Sequence, residues 1–482
     1  MIPSIVVERR YAKWALPMLL ACTMGVGLTL SGHPVGFVAA FFAVAGYFLF
    51  GALSIGNPLI LVTVLLLTLE FLPPLYIGPF GETPIFASFV LLPIAFAIIV
   101  VRFPDIHFKW DPISTGLFAL LVGTALSIPF AFWLSGTQTG WSSLSRWILM
   151  AHAVPVYCII RGFAHHQSAR EERRVYSLLF VGAVLSAVYG IVDFVWPIPF
   201  PHPAADQYIW LEQTILRRAQ GPFYESSNFA NFCGFFLIAG AIALLARRER
   251  YLGFSRPLLM LLVSMLSLAL VVAFSRSAWG SVLVALLASA ALSRLVRLPR
   301  GLALLFAFLV PLGIVWMLSP GLWDYLVSAR IGRLFEILDD PNSATSGRFD
   351  TWIRVLAIMR DAPQYLVFGI GYKTLTVTRL FHGEIITDNG YLSLLLECGV
   401  AGLAGFVLFS RAIFRTFLRL ARSLHDFSAF WSTVLVAIWC CELVQLLATD
   451  AHTYWRNICV FVALAALTLN SAERKQPAAG SL

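Results

Sequence analysis

Long apolar runs limit what this chain can fold into more than any other feature of its sequence. Runs long enough to cross a bilayer as a helix, about 17 to 25 residues, recur along nearly the whole chain. Charged residues make up only 12% of the sequence, whereas a soluble protein carries about 25%. The runs are apolar throughout rather than at every second position, which excludes a transmembrane β-barrel. The sequence therefore predicts an all-α, polytopic integral membrane protein.

The hydropathy pattern predicts about 14 transmembrane helices, within a range of about 12 to 14. They lie at about 14–31, 35–55, 58–73, 85–101, 113–134, 147–160, 175–196, 226–246, 257–274, 276–293, 301–319, 389–410, 428–448 and 454–470. No small-residue cleavage site follows the first, which is interpreted as a retained helix and not a signal peptide. The predicted regions are 1–319 (helices 1 to 11 with short loops), 320–388 (one long extracytoplasmic loop containing short helices), 389–470 (helices 12 to 14) and 471–482 (a tail).

Basic residues predict how this arrangement is oriented in the membrane. With the N-terminus in the cytoplasm, 22 of the 34 lysines and arginines fall on the cytoplasmic side, as topology determinants do. Seven of the others lie in the long loop, whose length removes it from the charge rule. Both termini are therefore expected in the cytoplasm and the long loop on the outer face. The net charge of +9 belongs to short loops between helices, which excludes nucleic acid as a partner.

The segment from Ser319 to Asn389 is the only long stretch of mixed polarity in the chain. It carries seven cationic side chains and runs directly into an apolar helix near Gly390, so any chemistry is expected here, at a membrane surface. The seven cysteines lie within or beside apolar runs and the nine histidines are scattered. This pattern indicates neither a disulfide framework nor a metal site. No nucleotide-binding loop is present, and no cofactor is expected.

Arg276 stands between two apolar runs with no polar loop around it. An arginine at a helix centre costs about 2.5–3.5 kcal/mol on insertion scales, and less near the interface. It either extends its charged end to the interface or binds an anion. We favour anion binding, because an outward cation has no role in topology and because Ser275 and Ser277 flank it.

Arg217 and Arg218 precede a turn at Gly221-Pro222 and a predicted helix start near Ser226. They are either solvated loop charges or part of an anion site. Converging guanidinium groups suit phosphate or pyrophosphate, whose oxygens they can bind bidentately.

Further candidates lie in the long loop and at its end. Arg348 and Trp352 are four residues apart and share one face of a predicted amphipathic helix on the membrane surface. Asp388 and Asn389 begin the twelfth predicted span. Asp388 is either an N-cap or a carboxylate that accepts a proton from an incoming hydroxyl. Glu397, about two turns deeper, is interpreted as a buried hydrogen-bonding group in preference to a catalytic one.

In this order, the motifs resemble those of the O-antigen ligase and Wzy-type polymerase superfamily, whose polymerases build O-antigen or exopolysaccharide. The motifs are Gly221-Pro222-Phe223 followed by Asn228, Ser275-Arg276, Gly347-Arg348-x-x-x-Trp352, and Asp388-Asn389-x-x-Leu392-x-x-x-x-Glu397-x-Gly399-x-x-Gly402. The resemblance covers roughly residues 210 to 405 by motif and the rest of the chain only by hydropathy.

The resemblance implies a metal-independent glycosyltransferase of the bacterial inner membrane with its active site on the periplasmic face. Such enzymes move an oligosaccharide from an undecaprenyl-pyrophosphate carrier to a sugar hydroxyl of a glycan or of lipid A-core. By that analogy Asp388 and Arg276 are catalytic, and the pyrophosphate is held by Arg217, Arg218, Arg276 and Arg348, whose charge stabilises the leaving group. Supporting residues would be Asn389, Glu397 and Trp352. Membrane lipids are expected partners, and polysaccharide export and chain-length proteins are candidate ones.

One position departs from the family pattern. Ligases of the family typically have histidine before the asparagine as candidate general base, whereas this chain has Asp388. An aspartate has an unperturbed pKa of about 3.9 and is a weaker base. Asp388 and the predicted spans favour a repeat-unit polymerase over a lipid A-core ligase. A lipid-linked glycan transporter or flippase is a third hypothesis, disfavoured because the cations cluster at the outward ends and no inverted repeat is visible.

Overall fold

In the computed structural model, the chain is described over residues 109–163, 168–196, 207–210, 215–223, 225–292, 347–378, 385–423 and 426–474, together with residues 63, 66, 75–76, 84–85, 342, 345 and 380–381. The first four predicted spans and the eleventh lie outside the described residues, apart from isolated positions.

Thirteen α-helices make up most of the described chain. They are α1 (Pro112–Ala125), α2 (Ile128–Ser135), α3 (Thr137–Ala151), α4 (Ala153–Gly162), α5 (Ala169–Val195), α6 (Ser226–Ala246), α7 (Arg256–Val272), α8 (Arg276–Leu292), α9 (Arg348–Asp361), α10 (Gln364–Phe368), α11 (Gly390–Ser423), α12 (Phe427–Gln445) and α13 (Trp455–Glu473). The described strands form two antiparallel pairs, β1 (Leu75–Tyr76) with β2 (Pro84–Ile85) and β3 (Tyr208–Trp210) with β4 (Ile215–Arg217). The described protein is mostly helical, as predicted. The two small hairpins differ from the all-α prediction.

Seven helical stretches in the described ranges are long and apolar enough to cross a membrane. They are Pro112–Ser135, Thr137–Gly162, Ala169–Val195, Ser226–Ala246, Gly390–Arg422, Phe427–Gln445 and Trp455–Glu473. The apolar helices α7 and α8 are shorter. Trp110 before α1, Trp133 in α2 and Trp196 after α5 are highly exposed, as in the aromatic belts of membrane proteins. A multi-pass helical membrane protein is confirmed, while the total of about 14 spans and the long outer loop stay predictions.

Three helices form the interior of the described bundle. The most apolar part of α13 is entirely buried, and α6 and α12 are nearly so. Around them, α1 packs closely against α11, because glycines remove side chains where the two backbones meet. A Cβ at Gly123 would lie 2.4 Å from Ala401 O, and one at Gly405 would lie 2.5 Å from Ala119 O.

One end of the bundle is joined by ion pairs. Arg161, at the end of α4, is almost fully buried and bonds to Asp111 (Nε–Oδ2 3.0 Å), Glu473 (Nη2–Oε1 2.6 Å) and Asn470 (Nη1–Oδ1 2.5 Å). Lys109 pairs with the same Glu473 (2.8 Å). These contacts tie α4 to the start of α1 and the end of α13. Since a buried charge is stable only when it is paired, they account for an arginine at this depth.

The sixth predicted span was placed at 147–160, but the structure has helix from Thr137 to Gly162, interrupted at His152. Its first turns are polar and were therefore excluded by hydropathy. They are nevertheless buried at Thr139 and Ser143, and Ser143 Oγ donates to Tyr372 O at 2.8 Å. Contact with another polar segment, and not burial in lipid, explains why these turns are helical.

The twelfth predicted span is longer than 389–410 and is broken at Gly399, whose φ of 67° and ψ of −170° are not helical. Two residues before the break, the Glu397 carbonyl accepts from the N–H groups of Ile370 (3.1 Å) and Gly371 (2.9 Å), just beyond α10. A Cβ at Gly399 would lie 2.5 Å from Val367 O. The segment after α10 therefore inserts its backbone into α11, and this insertion positions the residues described next.

Candidate active site

The helix ends that carry the candidate residues meet at the end of the bundle opposite Arg161. The backbone N–H of Gly390, which starts α11, donates to Leu446 O beyond the end of α12 at 2.7 Å. The side chain of Gln445 accepts from Ser281 Oγ (2.9 Å) and donates to Ser277 Oγ (3.3 Å), both in α8. The starts of α8 and α11 and the end of α12 therefore share one end.

The starts of α6 and α13 join this same end. Arg456 Nη1 in α13 donates to Pro222 O (3.0 Å), and Asn457 Nδ2 donates to Asn228 O (3.4 Å). The segment that resembles the Gly-Pro-Phe motif of the superfamily is thereby fixed beside the loop that joins α12 to α13. Segments that are far apart in the sequence thus present their polar residues to one region.

Arg348 and Asp388 form an ion pair at the surface of this region. Arg348 Nε donates to Asp388 Oδ2 at 2.9 Å, and the two side chains are 30% and 40% exposed. One turn along α9, Trp352 Nε1 donates to Thr387 O at 2.8 Å. Arg348 and Trp352 share a face, as predicted, and this face contacts the chain before α11. The contact fixes α9 beside Asp388.

The N-cap of α11 is Asn389. Its Oδ1 accepts from the N–H groups of Tyr391 and Leu392, both at 3.1 Å. Asp388 precedes it in the left-handed region with φ of 44°, which is rare for residues other than glycine, asparagine and aspartate. The capping role considered for Asp388 is therefore filled by Asn389. The Asp388 carboxylate is directed to Arg348 instead.

Glu397 is buried, and both of its carboxylate oxygens accept backbone hydrogen bonds. Lys373 N donates to Oε2 (2.9 Å), and Leu375 N donates to Oε1 (3.0 Å). The same turn is held from outside, where Arg146 Nη1 donates to Lys373 O at 2.6 Å. In the structure, Glu397 therefore acts as a hydrogen-bonding group that fixes the position of Lys373.

Lys373 pairs with Asp450, in the short segment between α12 and α13. Lys373 Nζ lies 2.9 Å from Asp450 Oδ2, and Asp450 Oδ1 accepts from Ser393 Oγ at 2.7 Å. Burial disfavours the charged form of Asp450, but the charge of Lys373 and these hydrogen bonds outweigh burial and hold the pKa of the carboxyl below its usual range. Asp450 therefore remains an anion under ordinary conditions.

A third carboxyl, that of Glu225, lies next to the same groups just before α6. Tyr454 Oη donates to Glu225 Oε2 at 3.3 Å. Burial raises the pKa of Glu225, the charges of Asp450 and Asp388 raise it further, and Lys373 opposes them. We call Glu225, Lys373, Asp388 and Asp450 the charged cluster.

The other candidate arginines lie on the α5–α7 side of this end. Arg217 Nη1 pairs with Asp193 Oδ1 at 2.9 Å, so its charge is compensated within the protein. Arg218 Nε donates to Ala273 O at 2.9 Å, one turn before Arg276 begins α8. Phe274, which lies between Ala273 and Arg276, has a φ of 51°, which is uncommon for a bulky residue. Arg218 and Arg276 are thus both placed at the tight turn from α7 to α8.

The structure therefore brings Arg348, Trp352, Asp388, Asn389 and Glu397 together, and Ser277, the residue after Arg276, bonds to Gln445 at the same end of the bundle. Arg217 is bonded to Asp193 instead. Sequence reasoning missed the other members of the region, namely Glu225, Lys373, Asp450 and His452. A signal for two of them existed, since Asp450 and His452 interrupt an apolar stretch between two predicted spans.

The described part of the chain contains no group of three or more His, Cys, Asp or Glu side chains that could hold a metal ion. Within the charged cluster, Lys373 and Asp450 pair with each other, Asp388 pairs with Arg348, and Glu225 accepts a hydrogen bond from Tyr454. Its chemistry suits proton transfer and the binding of hydroxyl groups.

Residues 258–407 match the family model described as O-antigen ligase. The resemblance to the O-antigen ligase superfamily is confirmed. A comparison with curated proteins gives no match. The chain is a multi-pass membrane protein that carries a domain of this glycosyltransferase-like family, and the family implies a lipid-linked glycan and an acceptor as substrates.

The matched segment includes Arg276, Arg348, Lys373, Asp388 and Glu397, whereas other residues of the site region lie outside it. Glu225 precedes the O-antigen ligase domain, and Asp450 and His452 follow it. The contacts of Asp450 with Lys373 and Ser393 nevertheless join the domain to the segment after α12. The site region is therefore built from the domain and from flanking helices together.

Proposed function

We propose that this O-antigen ligase family protein transfers an oligosaccharide from undecaprenyl pyrophosphate to a sugar hydroxyl, and that it polymerises repeat units of O-antigen or exopolysaccharide. The observation that carries the proposal is the exposed Arg348–Asp388 pair. It places a group suited to pyrophosphate directly beside a group suited to a hydroxyl proton. The charged cluster supplies further positive and negative groups at the same end of the bundle.

In the proposed reaction, the acceptor hydroxyl oxygen forms a bond to the anomeric carbon of the donor sugar. The bond from that carbon to the pyrophosphate oxygen breaks, and undecaprenyl pyrophosphate leaves with the electron pair. The hydroxyl proton passes to Asp388. Arg276 and Arg348 stabilise the charge that develops on the leaving group, with Arg218 beside them, because fixed donors at developing charge lower the barrier.

An aspartate is a weak base at neutral pH, with an unperturbed pKa of about 3.9. It serves here because the hydroxyl becomes strongly acidic once its bond to the anomeric carbon has begun to form. General-base assistance of this kind contributes about 10² to 10⁴ in rate. Glu397 and Trp352 hold Lys373 and α9 in place and have no proposed contact with the reacting atoms.

Two observations help to decide whether the protein is a polymerase or a ligase. Asp388 in place of the family histidine supports the polymerase. The description of the matched family, O-antigen ligase, supports the second candidate, which transfers the finished glycan to lipid A-core. For either reaction we propose the bacterial inner membrane as the location, with both termini in the cytoplasm and the site on the periplasmic face. Polysaccharide export and chain-length proteins are proposed partners.

The first test is glycan analysis in a strain that lacks the gene, complemented with the wild type, Arg348→Ala or Asp388→Ala. A polymerase is expected to leave single repeats on lipid A-core or on the carrier when it is absent or inactive. A ligase is expected to leave polymer on the carrier and none on lipid A-core. Unchanged surface glycan in the deletion strain contradicts both reactions.

A second experiment tests the chemistry directly. The purified protein in lipid nanodiscs is incubated with undecaprenyl-pyrophosphate-linked repeat units extracted from the host, without added nucleotide sugar. Formation of longer lipid-linked chains with release of undecaprenyl pyrophosphate is the expected result. The Arg360→Ala variant is the matched control, because Arg360 is an exposed arginine of the same helix as Arg348 and pairs with its neighbour Asp361. It should retain full activity.

A further inference from the structure

His452 is buried in the site region with both ring nitrogens unsatisfied. It is 4% exposed, and among the residues that the structure describes neither Nδ1 nor Nε2 has a hydrogen-bond partner. A neutral imidazole carries one N–H donor and one acceptor nitrogen, and buried polar atoms of proteins are almost always hydrogen-bonded. A histidine left in this state at a substrate site indicates that an atom outside the protein completes its bonding.

The ring packs against the start of α11, the helix that follows the proposed base. A Cβ placed on Gly390, two residues after Asp388, would be 3.0 Å from His452 Nδ1, so the ring packs on the first residue of α11. Its other face is toward Tyr372, with ring centroids 6.4 Å apart in an edge arrangement. His452 also follows Asp450 by two residues. An atom bound by His452 is therefore close to the carboxylate of Asp450, whose charge acts on the ring.

The charges around His452 select the chemistry of that atom. Asp450 and Lys373 are the charged groups that act on the ring, and they pair with each other, while burial favours the neutral form of the nearby Glu225. The ammonium of Lys373 is therefore already compensated, which disfavours a phosphate beside the ring. Sugar hydroxyls both donate and accept hydrogen bonds and carry no charge, so they complement an imidazole and carboxylates together.

We infer that His452, Asp450 and Glu225 form the subsite that binds the hydroxyl groups of the acceptor sugar, opposite the arginines that face the donor pyrophosphate. This inference rests on the proposed function and divides its site into two halves. The donor half is Arg348 with Arg276, and the acceptor half is the carboxylates with His452. Asp388 stands between them, since it pairs with Arg348 and its charge acts on Glu225.

The protonation state of His452 agrees with this division. Burial lowers the pKa of the imidazole to about 4, with Asp450 opposing and Lys373 adding to the effect. The ring is therefore neutral at the pH at which a bacterium grows. A neutral ring retains the acceptor nitrogen that a hydroxyl proton needs, and it does not attract the pyrophosphate away from the arginines.

The test separates acceptor binding from donor binding. The acceptor probe is the free repeat-unit oligosaccharide of the host, released from its carrier by mild acid, and the donor is the lipid-linked form. In His452→Gln we expect the apparent KM for the free oligosaccharide to rise by about tenfold, the loss of one to two hydrogen bonds, with the donor KM unchanged. Arg348→Lys is expected to do the reverse. A His452→Gln enzyme with an unchanged acceptor KM, or with a raised donor KM, overturns the inference.

A binding measurement that needs no turnover completes the design. The free oligosaccharide is expected to raise the melting temperature of the wild type and of Arg348→Lys, and not that of Asp450→Asn. His152→Gln, which removes a different buried histidine, controls for the loss of an imidazole and should respond as the wild type does. Equal shifts in Asp450→Asn and wild type contradict the subsite. If the wild type transfers nothing from any lipid-linked donor, the proposed function fails, whereas the binding result still decides whether the subsite exists.

Discussion

At the scale of single residues, the Arg348–Asp388 pair has consequences for how a reaction begins. Without substrate, each group partly neutralises the other, at 2.9 Å and with both side chains exposed to about a third. An incoming pyrophosphate carries more negative charge than one carboxylate and offers a guanidinium bidentate contacts. Donor binding is therefore expected to draw Arg348 away from Asp388. The carboxylate then becomes available to the acceptor hydroxyl.

We predict that Asp388→Asn lowers the rate of transfer by about 10² to 10⁴, the usual contribution of a general base. The melting temperature should change little, because exposed ion pairs contribute about 0–1 kcal/mol to stability. Single-turnover assays and thermal unfolding of the same preparations measure both quantities. Asp361→Asn, another exposed and paired aspartate, is the control and should leave the rate unchanged. An Asp388→Asn enzyme with full activity would show that Asp388 pairs with Arg348 and is not the general base.

We also predict that stability depends on pH through His452. The imidazole has a folded-state pKa of about 4, below its unfolded value of about 6.5. Between these values the unfolded chain binds a proton that the folded protein does not, so stability is lost as the pH falls from 6.5 to 4. The effect is on the order of 3 kcal/mol. The melting temperature of the wild type should approach that of His452→Gln as the pH falls through this window. If the two melting temperatures depend on pH in the same way, the ring is protonated or solvated in the folded state.

Part of the site could be predicted at this scale and part could not. Arg348, Trp352, Asp388 and Asn389 follow from local motifs, since each lies within a few residues of a helix start. Lys373, Asp450 and Glu225 come from three segments that only the packing of α6, α11 and α12 brings together. The spacing of residues in the sequence does not indicate that these three segments lie together in the fold. The choice of Asn389 over Asp388 as cap depends on the left-handed backbone at Asp388, which is equally invisible in the sequence.

At the scale of elements, the break in α11 is what sets the depth of the site. The carbonyls of Leu396 and Glu397, just before the break at Gly399, accept from the N–H groups of Ile370 and Gly371. The Glu397 carboxylate accepts from the N–H groups of Lys373 and Leu375. Leu396 and Glu397 thus hold the turn after α10. The ammonium of Lys373 reaches Asp450 only because this turn lies so close to α11. The sequence predicted one continuous span here, since an isolated glycine is tolerated in a helix.

We predict that Gly399→Ala is strongly destabilising, by about 2 to 4 kcal/mol, because a side chain is strained at positive φ and meets backbone at the same time. A Cβ there would be 2.5 Å from Val367 O. Gly280→Ala in α8 is the matched control, because in the described part of the chain no atom outside the local helix backbone lies within 4 Å of its Cβ position. That variant should keep or slightly raise the melting temperature. Equal melting temperatures for the two variants would mean that the turn after α10 does not need the break.

At the scale of the whole molecule, α11 links the two faces of the membrane. It has 34 residues, or about 50 Å at 1.5 Å per residue, which exceeds the hydrocarbon thickness of about 30 Å. Its first residue lies in the site region, and its last turns carry four exposed arginines: Arg411, Arg415, Arg419 and Arg422. Basic residues collect on the cytoplasmic side of membrane proteins. The composition of this one helix supports the proposal that the site lies on the opposite, periplasmic face.

This assignment predicts the chemical accessibility of two positions in a variant without the native cysteines. Arg360→Cys lies in α9, where the native side chain is 77% exposed, and Arg422→Cys lies at the arginine-rich end of α11. A membrane-impermeant maleimide is expected to label Arg360→Cys in intact spheroplasts and to label Arg422→Cys only after lysis. Lipid-linked oligosaccharides then meet the site on the outer leaflet. The reverse labelling pattern would place Arg348 and Asp388 in the cytoplasm, and a periplasmic transfer reaction could not use them.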